Sequence, residues 1–348
     1  MKRRMINCTA EVFEKLYDQD DWKQIFLNTK HLRIPTDTLL NPDEYINDQP
    51  DFWRIIEESG NITVHPNETV LDEIQNNPDA IIQYPKDIFI VDPLIETKIS
   101  RKHGVTVISD KDASSTPLKW KWTGRARFNK PFSWSYFFNA RPITDIPNNA
   151  LIITDLYLFD PLDKGVENLL RILDEILPQS FDFDYHIMVI TSTNNGRKIT
   201  SQRIVEETQI ALKKLKRSYP LILEMFFICD SDREEIKKLP KVLKNLYSAS
   251  HNRRIYSNSF IVFCEHGYNT VKEYNDELQS RWDQKVELMC NYHGIDNKYE
   301  KNDELPVNFV DDYLSYLSEV ITSSQNIGEY FRNGKRGEPQ NIVNRLIR

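Results

Sequence analysis

Glycine is scarce, ten in 348 residues, and cysteine scarcer still at four. The thiols of Cys8, Cys229, Cys264 and Cys290 form no CxxC pair, so neither a zinc cluster nor a redox dithiol is expected, and they read as scattered core groups. The glycines do not follow GxGxxG, and GxxxxGK[ST] is absent, which removes the usual phosphate-cradling loops. His65, His103, His186 and His293 have no partner at metal-ligand spacing, so no metal and no cofactor is expected. No run approaches the roughly 18 apolar residues that span a bilayer, and the basic start leads into acids rather than an apolar leader. A chain without a transmembrane segment, located in the cytoplasm, is the expectation. Charge of one sign is not in excess either: 45 basic against 52 acidic residues give a net charge of −7. That balance argues against wholesale coating of nucleic acid or anionic membrane, and any polyanion site has to be local.

What is present is the apolar content of a globular protein, 40% of residues, in a chain more than twice the roughly 150 residues of one ordinary domain. Two domains are expected. Residues 1–118 read as an N-terminal α/β domain of unassigned role, in which Lys86–Pro93 is a buried strand, Leu94–Gly104 a helix ended by its glycine, and Val105–Ser109 a second strand. Asp92, at the end of the first of these strands, reads first as a turn or helix cap.

Residues 119–147 form a connecting segment of different composition. Lys119, Lys121, Arg125, Arg127, Lys130 and Arg141 are interleaved there with Trp120, Trp122, Phe128 and Trp134, and no acid interrupts residues 119–142. Such a patch could stack and pair with single-stranded nucleic acid or sit at a lipid headgroup interface. The plainer reading is an interdomain segment with core aromatics and solvated charges.

From residue 148 to 348 strands and amphipathic helices alternate. Ala150–Asp160, Asp184–Thr193 and Leu221–Asp230 are near-continuous apolar strands. One helix buries Val166, Leu169, Leu170, Leu173, Ile176 and Leu177, and another covers Thr200–Arg217 with four cations in its last turn. Leu239–Ser250 reads as a further helix or turn, Arg253–Cys264 as a hairpin about Ser257–Ser259, and the chain as finishing in helices near Val310–Ile321 and Gln340–Ile347. This pattern means an α/β fold, a mixed sheet flanked by helices, beside the separate N-terminal α/β domain.

The most informative residues are His251, Arg253 and Asn258. Positions two apart on a strand project to one face, so an imidazole and a guanidinium would share a surface suited to a phosphoryl group. Glu265 and His266, at the far end of the hairpin's second strand, and Asp155, ending the first strand of this domain, are the supporting candidates. His251-x-Arg253-x4-Asn258 resembles the HxKx4D motif of the phospholipase D superfamily, with two of the three residue types changed. The surrounding order is closer to the degenerate phospholipase D-like domain at the C-terminus of MIT-domain proteins. Its pieces here are Asp155-Leu156-Tyr157, Asn168-Leu169-Leu170, Ile190-Thr191-Ser192, His251-Asn252-Arg253 and Asn258 followed by His266-Gly267, covering residues 148–270.

The resemblance implies a phospholipase D-like mixed sheet. It also implies a module that has lost hydrolysis, binds a phosphate-bearing partner such as nucleic acid or an anionic lipid headgroup, and assembles as a homo-oligomer. The active enzymes bring two HKD motifs together. With a single motif, the alternative is a metal-independent phosphodiesterase or nuclease working as a homodimer, with His251 catalytic in each copy. Whether the chain is an enzyme stays open at this point. A place in a bacterial defence system is a further reading, by analogy of modular architecture alone.

Overall fold

The computed structural model describes residues 4–35, 50–66, 70–99, 103–116, 118, 120–139, 146–160, 162–192, 199–228, 241, 244, 253–268, 271–274, 277–290, 314, 317–319 and 328–348. Two packing units result, one within Lys2–Trp120 and one within Lys121–Asn291 and Ile295–Arg348.

The first unit is a five-stranded parallel sheet of β1 (Ile6–Asn7), β2 (His31–Ile34), β3 (Thr63–Pro66), β4 (Ile88–Val91) and β5 (Thr106–Ser109), in the order β3-β2-β1-β4-β5. Helices α1 (Ala10–Tyr17), α2 (Asp20–Thr29), α3 (Pro50–Ser59), α4 (Val70–Asn76) and α5 (Pro93–Lys98) connect them. Thr9 starts α1 by accepting the Val12 amide, and the helix then buries Phe13 and Leu16, three residues apart. The strand–helix–strand unit expected over residues 86–109 is present as β4, α5 and β5. Its helix stops at Lys98, earlier than Gly104 had suggested, and Asp92 caps it by accepting the Leu94 amide at 2.8 Å. Asp87, just before β4, is buried. Burial pushes its pKa up, and Arg33 at 2.9 Å opposes that.

The second unit is built on a nine-stranded mixed sheet. In chain order its strands are β6 (Lys121–Ala126), β7 (Ala150–Thr154), β8 (Tyr185–Ser192), β9 (Leu221–Ile228), β10 (Arg254–Ser257), β11 (Phe260–Cys264), β14 (Gln284–Cys290), β15 (Gly328–Arg332) and β16 (Lys335–Gly337). Across the sheet they run β16-β15-β9-β8-β7-β10-β11-β14-β6. Only β7, β8 and β9 are parallel neighbours, and the hairpin β10–β11 lies antiparallel beside β7. A separate hairpin joins β12 (Val271–Tyr274) to β13 (Glu277–Ser280). The helices delimited among the described residues of this unit are α6 (Trp134–Asn139), α7 (Leu162–Ile176) and α8 (Ser201–Leu212). Mixed sheets flanked by helices were the class expected, and no helix among the described residues is long and apolar enough to cross a membrane. Cys8, Cys264 and Cys290 are buried and unbridged.

Two expectations change. The segment 119–147, read as a connection, supplies an edge strand and a helix to this unit, because β6 pairs with β14 over six residues. The last residues are not a helix over Gln340–Ile347: a 3-10 turn at Pro339–Asn341 leads into an irregular strap. Two of the strap's amides are taken by side chains, Val343 by Glu224 at 2.8 Å and Leu346 by Asn344 at 3.0 Å, and Ile347 and Arg348 both turn to the Asn344 carbonyl, so no run of main-chain helical bonds forms. Ile342, Leu346 and Ile347 are buried in the same core cluster as β7, β8 and β9. At about 1.5–3 kcal/mol for each of these three buried side chains, the apolar contact supplies most of what holds the strap down. The expected helix of residues 239–250 and most of that near 310–321 lie outside the described residues.

Arg345 fastens the strap to Asp184 at 2.7 Å, and Asp184 also takes His186 Nε2 at 2.9 Å. Burial, followed by the Arg345 charge, lowers the His186 pKa to about 4, so the folded protein keeps the ring neutral. Burial works against the Asp184 charge, but Arg345 and His186 together bring its pKa below the usual carboxylate value.

These contacts set two expected outcomes. Below the ordinary histidine pKa of about 6.5 the unfolded chain takes up a proton that the native ring refuses. Stability should therefore fall by on the order of 2 kcal/mol between about pH 6.5 and pH 4. His186→Asn should flatten that part of a urea-denaturation pH series, while the loss through Asp184 comes only at lower pH. A Cβ on Gly165 would lie 2.2 Å from the Leu158 carbonyl oxygen and 2.6 Å from the Phe159 Cα. Gly165→Ala should then cost at least about 2 kcal/mol in the same assay, because the backbone of the preceding turn has to move.

Candidate functional site

At the carboxyl end of β7 the chain turns through Asp155-Leu156-Tyr157, and Asp155 is fully buried. One carboxylate oxygen accepts the Tyr157 amide at 3.0 Å and closes the turn; the other accepts the Tyr268 amide at 2.9 Å, beyond β11. The end of the neighbouring parallel strand joins in: the Ser192 hydroxyl donates to the Leu156 carbonyl at 2.7 Å, and Thr191 reaches it at 3.4 Å. From α7, Asn168 donates its side-chain amide to the Tyr268 carbonyl and accepts Trp134 Nε1 at 2.8 Å. Gly267, at φ 98°, makes the bend that brings Tyr268 under this cage, a backbone angle only glycine adopts readily. Asp155 thus braces two bends of the main chain at once.

Arg253 stands just before β10 on the rim of the cage. Its Nη1 donates to the Glu265 carbonyl oxygen at 3.0 Å, and its own carbonyl accepts the Cys264 amide at 3.1 Å. Its Nε is buried without a hydrogen-bond partner among the described residues. No carboxylate pairs with it there: the Asp155 oxygens serve amides, and Glu265 turns its carboxylate to the Lys285 amide at 2.9 Å. His266 is exposed, its amide on Gln284 at 3.2 Å and its ring centroid 6.3 Å from that of Trp282. Burial raises the pKa of the adjacent Cys264 thiol far above the ordinary range, so that sulfur is a core group and not a nucleophile.

Asn258 does not belong to this cluster. It sits in the β10–β11 turn, at the opposite end of the hairpin, and its Oδ1 accepts the Asn149 amide at 3.0 Å ahead of β7. The register puts Ser257 opposite Leu151 and Arg254 opposite Thr154, so the full length of β10 separates Asn258 from Arg253. His251 lies outside the described residues, as do Lys119 and Arg141.

The basic and aromatic segment is divided by the strand it forms. In the β6–β14 register Lys121, Thr123 and Arg125 stand opposite Met289, Glu287 and Lys285 on one face, and Trp122 projects to the other. Cations and aromatic rings that alternate in sequence therefore do not mix on one surface. Glu287 takes Lys121 at 2.8 Å and Lys285 at 2.7 Å; burial works against its charge, but the two lysines bring its pKa below the usual value. Arg125, Arg127 and Lys130 are exposed, Trp120 and Lys121 are half-buried, and Trp122 lies at 36% exposure. Trp134 is core, packed on Phe138 and Tyr268. The residues that sequence reasoning missed are Tyr268 and Gln284, whose partners come from distant segments; only the glycine before Tyr268 hinted at a bend.

Asp155→Asn should show which role this acid has. An amide presents one acceptor oxygen to two N–H donors, so one buried donor loses its partner, at a cost of about 2 kcal/mol or more in chemical denaturation. A variant as stable as the parent would mean that the carboxylate does not hold the turn. Among the described residues no group of three or more His, Cys, Asp or Glu side chains could hold a metal ion. No protein-family model matches the chain, and no curated protein matches it, so the geometry and its chemistry carry the functional reading.

Proposed function

We propose that the second unit is a phospholipase D-like recognition and assembly module that holds a phosphate group of its partner at Arg253. What carries this reading is the charge of Arg253, which no described carboxylate offsets, at the carboxyl end of the parallel strands, where α/β sheets gather their ligands. A guanidinium with its Nη1 tied back to the Glu265 carbonyl is oriented by the fold and keeps Nη2 for phosphate oxygens. The order of elements also supports it: three parallel strands, a hairpin returning beside the first of them, and, among the described residues of the quoted family pieces, Asp155–Tyr157, Asn168, Thr191–Ser192, Arg253 and Gly267 meeting at one end of the sheet. The role is binding rather than hydrolysis. Asp155 accepts main-chain amides on both oxygens, and the Asn258 that replaces the motif's acid braces a turn. The same reading carries a homo-oligomer.

Titration of a short single-stranded oligonucleotide, and separately of vesicles containing an anionic phospholipid, tests the proposal. Arg253→Ala should weaken binding to the true partner class by about tenfold or more and lower the salt dependence by about one counterion. Equal binding by parent and variant would overturn it. Cleavage of the oligonucleotide in the presence of a chelator, abolished by His251→Ala, would favour the phosphodiesterase instead.

A further inference from the structure

A second concave surface lies at the other end of the parallel strands of this unit. The end of α8, the turn that follows it, the start of β9 and the β15–β16 turn enclose a cavity of about 340 Å³. Three of its eight lining residues are cations, Lys213, Lys216 and Arg217, and none is an acid, in a chain where acids outnumber bases. The local sequence explains the shape. After α8 a 3-10 turn, Lys213–Leu215, tightens the helix end, and Lys216 at φ 49° reverses the chain into β9. Asn333 and Gly334, at φ 48° and 85°, form the tight hairpin turn on the facing side.

Cations at a helix C-terminus complement its dipole, and that accounts for Lys213 together with Lys214 one residue on, which is not part of the lining. It does not account for Lys216 or Arg217, which lie past the helix. The side chain of Arg217 is only 6% exposed and already engaged: its Nη2 donates to the Asp174 carboxylate at 2.9 Å and to the Asp174 carbonyl at 2.7 Å, and its Nη1 to Gln179 and to the Leu215 carbonyl, so it shapes the floor of the cavity and leaves the free charge to the two lysines. Lys213 and Lys216 have no carboxylate within ion-pair distance among the described residues, while Tyr219, Leu212 and Leu221 add an aromatic and apolar wall. Two ammonium groups with no ion-pair partner among the described residues, flanking one concave turn, suit the oxygens of a phosphate. The apolar wall and a volume at the lower end of the roughly 300–1,000 Å³ usual for small-molecule sites call for more than a bare ion. We infer that this cavity binds a small phosphate monoester, its phosphate between Lys213 and Lys216 and its apolar or ring portion against Tyr219 and Leu221.

Calorimetric titration of the full chain with phenyl phosphate and with inorganic phosphate tests the assignment. Saturable binding of phenyl phosphate, tighter than that of inorganic phosphate, is expected. Lys213→Ala with Lys216→Ala should weaken it by at least about tenfold, the loss of a charge-assisted hydrogen bond. Lys214→Ala removes the same charge outside the cavity and should change the affinity by less than about twofold. Equal loss in the Lys214 variant would show diffuse electrostatics, and inorganic phosphate binding as tightly as phenyl phosphate would remove the monoester; either overturns the proposal, as does the absence of saturable binding. All variants change exposed lysines, and parent-like denaturation midpoints confirm that a loss of binding is local.

Discussion

The second unit depends on a carboxylate that water does not reach. Asp155 ends the first parallel strand, and its two oxygens bind amides 111 positions apart in the chain, Tyr157 and Tyr268. A buried carboxylate is tolerated only when its oxygens are satisfied, and here the satisfaction is supplied by main chain. That makes the turn after β7 and the bend after β11 one rigid object. Ser192 and Asn168 extend the same bracing to β8 and α7. Arg253 is positioned by it, since its Nη1 is tied to Glu265, two residues before the bend.

The two ends of the sheet consequently differ in character. At the carboxyl end the polar groups look inward and brace the backbone, leaving the guanidinium of Arg253 on the rim. At the amino end Asn258, Asn149 and the Asp184–Arg345 pair tie the hairpin turn and the C-terminal strap to the strand starts. The cationic cavity opens beside that end, at the start of β9. Polar networks of this kind contribute modestly to net stability but penalise any alternative pairing, because each misplaced partner leaves a buried donor or acceptor unsatisfied. The apolar strap residues supply the free energy; Glu224, Asp184 and Asn344 choose the register in which it is spent.

The basic and aromatic segment shows how a composition can mislead. Lys121, Trp122 and Arg125 look like a mixed stacking surface when read along the chain, yet strand geometry with its period of two sorts them onto opposite faces. An acid 166 residues after Lys121 then neutralises part of the charge that the local sequence left unopposed. The cation run after α8 went the other way. It reads as an ordinary solvated helix end, and only the arrival of the β15–β16 turn makes it one wall of a cavity.

From the order of residues alone, the strands Ala150–Thr154, Tyr185–Ser192 and Leu221–Ile228, the helices between them and the hairpin about Ser257–Ser259 were legible. Their hydrophobic periods are long and agree with local propensity. The short edge strands β6 and β16, the hairpin signalled by Asn333-Gly334 and the non-helical strap were not read, because pairing partners and side-chain caps far away in sequence decide them. Residue type marked Asp155, Arg253 and Asn258 as worth attention. Only the tertiary structure separated a buried brace, a rim guanidinium and a turn residue at the far end of the hairpin, since the partners lie 113 residues away for Asp155, 109 for Asn258 and, across the hairpin, 12 for Arg253.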